Sequence, residues 1–405
     1  MKILYIVPFV PWEVKVRSFN LIPRLARRHE IYLVCVSNVE PNKDQKAWIN
    51  RYCKKSAYVR HTRLKGMIHS IAALPTTIPM RIAYCRSNPA QDVVQKMAGE
   101  VQPDVVYVER WRALQFVPEN LSAPLACDPT DSMTLYNRRL VEGGVWWEKL
   151  LGWEEHRKFL QYEGKLAQSA DVTVFCSGLD MECVKQQAPG VRCELVPNGV
   201  DCEKYFFKRQ GEEEPRTLVF AGSFKYRPNC LAARFFLEKV FPLVQRKAPG
   251  VKFVAVGNGA QEALAGYRGR VGFEAIDFVP ELRPYLAKAT VAVAPLTVGA
   301  GVSNKLAEGF AVGTPVVATP LACGDLPVKS GEHLLIGRTV VEFADHVLTL
   351  LKDPQLRSQM AVRARRFVEE RYDWEIVSKK IEDILQEIAT RTEASASFKQ
   401  ELATA

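Results

Sequence analysis

Apolar runs and helically spaced stretches alternate along the whole chain. Residues 3–7 form a continuous apolar run, residues 18–28 repeat apolar positions at helical spacing, and residues 31–36 are apolar again. That order predicts an opening strand–helix–strand unit. Further strands are predicted at residues 104–108, 124–127, 172–176 and 194–196, with helical stretches between them, the longest at 145–169. The segment Val196-Pro197-Asn198-Gly199-Val200-Asp201 is dense in turn residues and reads as a linker, followed by a polar loop over 208–215. A second set then begins with a strand at 218–222 and a helix over 228–247, with Pro228 at its start and apolar Leu231, Phe235, Val240 and Val244. Strands are predicted at 251–256, 276–279, 290–294 and 315–319, then helix from 340 to about 388, then a small, polar, frayed end over 389–405. The expected fold class is α/β, with two units of similar size and buried, parallel-type strands. Ligands in such sheets bind at the carboxyl ends of the strands, so the expected site is a cleft between the units.

The length of 405 residues suits two domains, and 47% apolar with 25% charged residues is the composition of a globular protein. No apolar run approaches the ~20 residues that span a bilayer. The start is apolar but broken by Pro8 and Pro11, without a cleavage pattern, so it reads as a first buried strand and the expected location is the cytoplasm. The ten cysteines include no C-x-x-C pair and read as buried free thiols.

Charge is distributed unevenly. The net charge is +10, and residues 1–100 carry 17 Lys/Arg against 6 Asp/Glu. Between Asp44 and Asp92 there is no acid but nine basic residues: Lys46, Arg51, Lys54, Lys55, Arg60, Arg63, Lys65, Arg81 and Arg86. Leu64, Met67, Ile68, Ile71, Leu74 and Ile78 are interleaved with them. A basic amphipathic stretch over 46–86 suits an anionic membrane surface at the inner face of the membrane, or a lipid phosphate; a solvated structural helix fits the same residues. No nucleic-acid motif accompanies the charge, so no nucleic-acid partner is expected.

The segment with the most chemistry is 290–319. A buried strand runs into a loop containing Gly299 and Gly301, a helix begins near Ser303 or Asn304, and it ends near Gly313 before another buried strand. Glycine lets the backbone approach a ligand, and a helix N-terminus presents free N–H groups and a positive dipole, a design suited to phosphate. Lys305 and Glu308 are three apart and share a helix face; Leu306 and Phe310 point to the core. Lys305 suits a phosphate as a point charge, and Glu308 can accept hydrogen bonds from two ribose hydroxyls. An exposed Lys–Glu pair on a structural helix accounts for the same residues.

This segment resembles the donor-binding motif of the family 4 glycosyltransferases, which have the two-domain GT-B fold. The resemblance extends in order to residues 5–36, the linker 196–201, Phe220-Ala-Gly-Ser-Phe-Lys-Tyr-Arg-Pro-Asn229, Phe278-Val-Pro-Glu-Leu-Arg-Pro-Tyr-Leu286 and Arg371-Tyr-Asp-Trp374. It implies two Rossmann-like domains facing across a cleft: an acceptor domain over 1–197, a nucleotide-sugar domain over 198–373, a helix over 374–391 crossing back to the first domain, and a tail over 392–405. It implies that Lys305, with Lys225 or Arg227, holds the donor diphosphate and carries catalysis. Gly222 and Ser223, the backbone at Val279 and the residues Ala300, Gly301, Val302, Ser303 and Asn304 would line the donor, with Glu308 on the ribose. Lys15, Arg17, Glu109 and Asp131 fall on the acceptor side. The implied activity is transfer of a sugar, with retained anomeric configuration and no metal or other cofactor, from a UDP-sugar (GDP- or ADP-sugar as alternatives). The acceptor would be a hydroxyl of a glycan, lipid-linked or small-molecule partner, in cell-surface polysaccharide or glycolipid assembly.

The chain departs from the family pattern at three points. Ala300 stands where many members have an acid contacting the sugar, the first loop over 11–17 has no Gly-Gly, and Cys127-Asp-Pro-Thr-Asp-Ser132 has no histidine. A dinucleotide-dependent oxidoreductase would need G-x-G-x-x-G after a first strand, which this chain lacks. A non-catalytic scaffold or partner protein of the same fold, binding nucleotide or glycan without turnover, is the alternative function.

Overall fold

In the computed structural model the chain divides into two units: residues 1–197 with 377–405, and residues 198–376. The structure describes residues 1–13, 15–143, 146–209, 211–298 and 304–404, with the backbone alone for 142–143, 146–148, 304 and 392–404.

The first unit holds seven strands: β1 (Lys2–Val7), β2 (Glu30–Ser37), β3 (Lys55–Arg60), β4 (Val105–Glu109), β5 (Leu125–Thr130), β6 (Val172–Phe175) and β7 (Cys193–Leu195). All pair in parallel, in the order β3-β2-β1-β4-β5-β6-β7. The order reverses between β1 and β4, the place where open parallel sheets form a crevice at their carboxyl ends. The helices used below are α1 (Val16–Leu25), α2 (Arg63–Ala72), α3 (Asn88–Val101), α4 (Met133–Gly143) and α5 (Trp146–Gln168). Strands β1 and β4 are nearly unbroken in burial, because helices cover both faces of such a sheet. β3 escaped the sequence pattern because it is an edge strand: in Lys-Ser-Ala-Tyr-Val-Arg only Val59 is buried.

The second unit holds β8 (Thr217–Ala221), β9 (Lys252–Val256), β10 (Phe273–Ile276), β11 (Val291–Ala294), β12 (Val316–Ala318) and β13 (Leu335–Ile336). These pair in parallel in the order β10-β9-β8-β11-β12-β13, the same topology as the first sheet. Its helices include α6 (Arg227–Phe235) and α7 (Asn304–Val312). Alternate residues of β8 enter different cores: Leu218 and Phe220 one, Val219 and Ala221 the other.

Three expectations shift. The strand expected at 276–279 lies at Phe273–Ile276, so Val279 falls in the segment beyond it. The helix expected over 228–247 is broken by a wide turn, Phe236–Val240, before Phe241–Lys247. Pro242 supplies the reason, since its ring cannot sit against the carbonyl four residues back. The end expected to fray is helical: α8 runs from Trp374 to Thr404, through a segment rich in Ala, Glu, Lys and Gln. From Val377 onward α8 belongs to the first unit, where Ile381, Leu385 and Ile388 are buried. There Glu382 takes two hydrogen bonds from Arg28, at 2.6 and 2.8 Å, and one with His29 at 2.8 Å. The Arg28 guanidinium holds the Glu382 carboxyl down to about 2.

Candidate functional site

In the second unit the site is built where β8 ends. The Gly222 N–H donates to Val256 O at 3.0 Å and the Phe224 N–H to Asn258 O at 2.8 Å, so the loops after β8 and β9 are strapped together. Their approach requires glycine: a Cβ on Gly257, at φ 141°, would lie 2.1 Å from Gly222 O. Lys305, on the first turn of α7, lies over this strand end. A Cβ on Gly222 would sit 2.8 Å from Lys305 Cε and 2.9 Å from Asn229 Nδ2. The ammonium is 5.7 Å from the centre of the Phe220 ring. Burial pushes the Lys305 pKa down, and Glu308 opposes that shift. Glu308, one turn on, is pushed up to about 7 by burial, against the pull of Lys305 and Lys204. Leu306 and Phe310 anchor the helix in the core.

Asn229 is 3% exposed. Its Nδ2 donates to Ser223 O at 2.7 Å, and its Oδ1 has no partner among the described residues. Sequence reasoning missed both Asn229 and Lys204; the one available signal for Asn229 was its place at the end of the Phe220–Asn229 segment. Ser223 and Lys225 are exposed in the loop, and Arg227 is exposed as the first residue of α6. Val279 is half-buried at the carboxyl side of β10, where it lines a cavity of about 410 Å³ with Pro280, Tyr285 and Lys288. Ala300, Gly301, Val302 and Ser303, and the side chain of Asn304, lie outside the described residues. A half-buried cation and carboxylate at a glycine-floored strand end can hold an anionic diphosphate and a pair of vicinal hydroxyls.

The first unit places its charged residues at the same end of its own sheet. Glu109, the last residue of β4, is 1% exposed and accepts a hydrogen bond from Tyr5 OH at 3.2 Å. Burial raises its pKa to about 7, although Arg110 and Arg17 lower it. Asp128 is fully buried and accepts from both Arg17 Nε and Tyr107 OH. Arg17, itself 3% exposed, thus lies inside the unit beneath the strand ends instead of facing solvent. Lys15 is half-buried with its ammonium 4.8 Å from the Phe9 ring centre. Burial lowers its pKa, with Arg110 and Arg112 adding to that effect and Glu109 opposing. Asp131 pairs with Arg110 at 3.3 Å. Arg110 and Thr130, at the ends of β4 and β5, both have left-handed backbones, φ 79° and 74°. For a β-branched threonine that conformation is strained by about 1–3 kcal/mol, and such strain is concentrated at functional sites. Among the described residues no group of three or more His, Cys, Asp or Glu is arranged to hold a metal.

Residues 215–353 match the family model of the glycosyl transferases group 1. Over 219 residues the chain is 27% identical to the phosphatidyl-myo-inositol mannosyltransferase of Mycobacterium tuberculosis, covering 51% of this chain and 57% of that protein. The chain thus spans little more than half the length of that relative. Over 362 residues it is 23% identical to an uncharacterized 44.6 kDa protein in the cps region of Klebsiella pneumoniae, covering 87% and 89% of the two. Among solved structures, Anabaena HepE in complex with UDP aligns over 96% of this chain and 100% of its own, with a TM-score of 0.68 at 15% identity. Sucrose-phosphate synthase from Thermosynechococcus elongatus aligns over the same shares with a TM-score of 0.69 at 13% identity. These structural likenesses carry the fold. The two parallel sheets of one topology thus have the fold of these solved structures, and the second unit carries the match to the glycosyl transferases group 1.

Proposed function

We propose that the protein is a metal-independent, retaining glycosyltransferase that moves a sugar from a nucleoside diphosphate sugar, a UDP-sugar first, to a hydroxyl acceptor in polysaccharide or glycolipid assembly. The observation that carries this reading is Lys305 lying over Gly222 with Glu308 one turn away. As the bond from the anomeric carbon to the diphosphate oxygen breaks, negative charge gathers on the leaving diphosphate. Lys305, with Lys225 or Arg227, stabilises that charge, and a lysine already half-withdrawn from water does so more strongly than an exposed one. The dianion in turn restores the proton that burial loosens. Glu308, ionised, accepts the ribose hydroxyls; Val279 flanks the base; the loop 300–303 faces the sugar. Lys15, Glu109, Arg110 and Asp131 form the acceptor side.

The same reading makes the protein peripheral to an anionic membrane. α2 supports it: the buried residue of this helix is Gly66, whose missing side chain leaves room for the Tyr84 ring, while Leu64, Met67, Ile68 and Ile71 are 56–69% exposed. No helix among the described residues is long and apolar enough to cross a membrane. Calorimetric titration with UDP, GDP and ADP, then a hydrolysis screen over their sugars, tests the proposal. Absence of binding at millimolar concentration removes the transferase reading; tight binding with no turnover on any donor favours the non-catalytic scaffold.

A further inference from the structure

The first unit has a second charged recess, away from Glu109, where β3 ends. Chain direction brings three elements there. Arg60 closes β3, Thr62 caps α2 so that Lys65 sits on its first turn, and Arg86 precedes Ser87, the N-cap of the 14-residue helix α3. Between them lies a cavity of about 470 Å³ lined by Arg60, Lys65, Arg86, His61, His69 and the Ser87–Asn88 turn, with no carboxylate in its wall. Glu40, the acid that senses Arg60, is already paired with Lys46 at 3.0 Å.

A helix N-terminus and three lysines or arginines would not by themselves define a site. The buried histidine does more. His61 is 7% exposed and lines the cavity, yet its Nε2 has no hydrogen-bond partner among the described residues. Its ring lies edge-on to Tyr84, with centroids 5.6 Å apart, and also hydrogen-bonds the Tyr84 backbone, so the ring is held in place. A buried polar atom left unsatisfied costs about 1–3 kcal/mol, which a ligand oxygen at that point would recover. The Ser87 hydroxyl caps the Ala90 N–H and Pro89 has none, leaving the Asn88 N–H and the positive end of α3 for an anion.

The recess also opens onto apolar surface. His69, Arg86, Ser87 and Asn88 line a second, larger groove of about 830 Å³, whose other walls include Ile78, Ile82, Leu114, Val117, Leu121 and Leu166. A cationic mouth continuous with a groove whose walls are partly apolar, Glu119 and Asp171 also standing on its lining, suits an anionic head on a hydrocarbon chain.

We propose that this paired cavity binds a lipid phosphate, its phosphate among Arg60, Lys65, Arg86 and His61 and its chain in the groove behind Arg86. The site shares no residue with the nucleotide site of the second unit. As an assignment of acceptor class it rests on the transferase reading; as a binding site it does not.

Decyl phosphate below its critical micelle concentration is the probe, titrated calorimetrically into the full chain beside inorganic phosphate and decanol. Decyl phosphate is expected to bind at least tenfold more tightly than either. R60E and R86E should each weaken it by tenfold or more, and H61F, which keeps a ring against Tyr84, by severalfold. UDP affinity should be unchanged in all three. Leu64→Ser with Met67→Ser, exposed on α2 outside the cavity, should lower vesicle binding but leave decyl phosphate affinity intact. Inorganic phosphate binding as tightly as decyl phosphate would make this a free-phosphate site and overturn the lipid assignment. Decanol binding as tightly would overturn the phosphate assignment. Equal losses in the Leu64→Ser, Met67→Ser variant would reduce it to surface adsorption, and no binding of decyl phosphate ends it. A chain that binds decyl phosphate but no nucleotide keeps the site and loses the transferase reading.

Discussion

The two units carry charge at the same topological place and use it oppositely. At the end of β5, the Oδ2 of Asp128 accepts from both Arg17 and Tyr107, all three buried, so cation and anion close on each other. At the end of β8, Lys305 and Glu308 sense each other's charge but neither forms an ion pair with another described side chain. Their floor is a glycine, where any side chain would displace the lysine. A closed pair is a part of the scaffold, since its interaction is already made. An open pair withdrawn from water is poised for a ligand that completes it. Both clusters hold a carboxylate raised to about 7, Glu109 and Glu308, so the pKa alone does not tell the closed pair from the open one; whether cation and anion meet does.

Breaking the closed pair should have the largest effect. Asp128→Ala leaves the Arg17 guanidinium buried and uncompensated, and is expected to destabilise the first unit by about 3–5 kcal/mol in urea unfolding while UDP affinity holds. Arg17→Met with Asp128→Leu should recover most of that loss. If the single change proves nearly neutral, the pair is not closed as described. Lys305→Ala should do the reverse: a fall in turnover of roughly 10²–10³-fold and weaker UDP binding, with unfolding unchanged or slightly later. Unchanged kinetics would take Lys305 out of the site.

The two carboxylates sharpen the contrast through pH. A carboxyl whose folded pKa is raised binds its proton more tightly in the native state. Its stabilisation is whole below its ordinary value of 4.5 and lost as pH rises to about 7. The stability advantage of the wild type over Glu109→Gln should therefore shrink by up to ~3 kcal/mol between pH 4.5 and 7, read from urea midpoints. Glu308 should show its titration in ligand binding. UDP affinity gains severalfold from pH 6 to 8 as the carboxylate ionises, a gain that Glu308→Gln abolishes. A flat profile in both proteins removes Glu308 from the ribose. The smallest expected change is Gly222→Ala, where a methyl 2.8 Å from Lys305 Cε tilts the lysine aside. About a tenfold weakening of UDP binding, roughly 1.4 kcal/mol, is expected without loss of fold.

Much of this was legible in one dimension. Most of the order of strands and helices, the linker near residue 197 and a phosphate-suited loop and helix around Lys305 and Glu308 follow from period, turn residues and helix-start chemistry. Those signals are local, and local chemistry is what a sequence displays. β3 hid because an edge strand buries one residue in six, and the break at Phe236–Val240 hid because a proline one residue into a new helix looks like a helix start. Arg17 read as a residue facing the acceptor, since nothing near it in sequence announces Asp128.

What the sequence determined by itself was therefore the kind of fold and the chemistry on offer: two parallel α/β units, a phosphate-suited loop and helix, and a basic amphipathic stretch. Only the tertiary structure decided which charges are spent and which are open. Arg17 and Asp128 stand 111 residues apart and meet because β1 and β4 adjoin at the sheet's switch point with β5 alongside. Lys305 meets Gly222, and the Nε2 of His61 is left without a hydrogen-bond partner among the described residues, for the same reason. Strand order, not spacing along the chain, sets which side chains share a strand end, and the order of a parallel sheet is settled by packing across the whole unit.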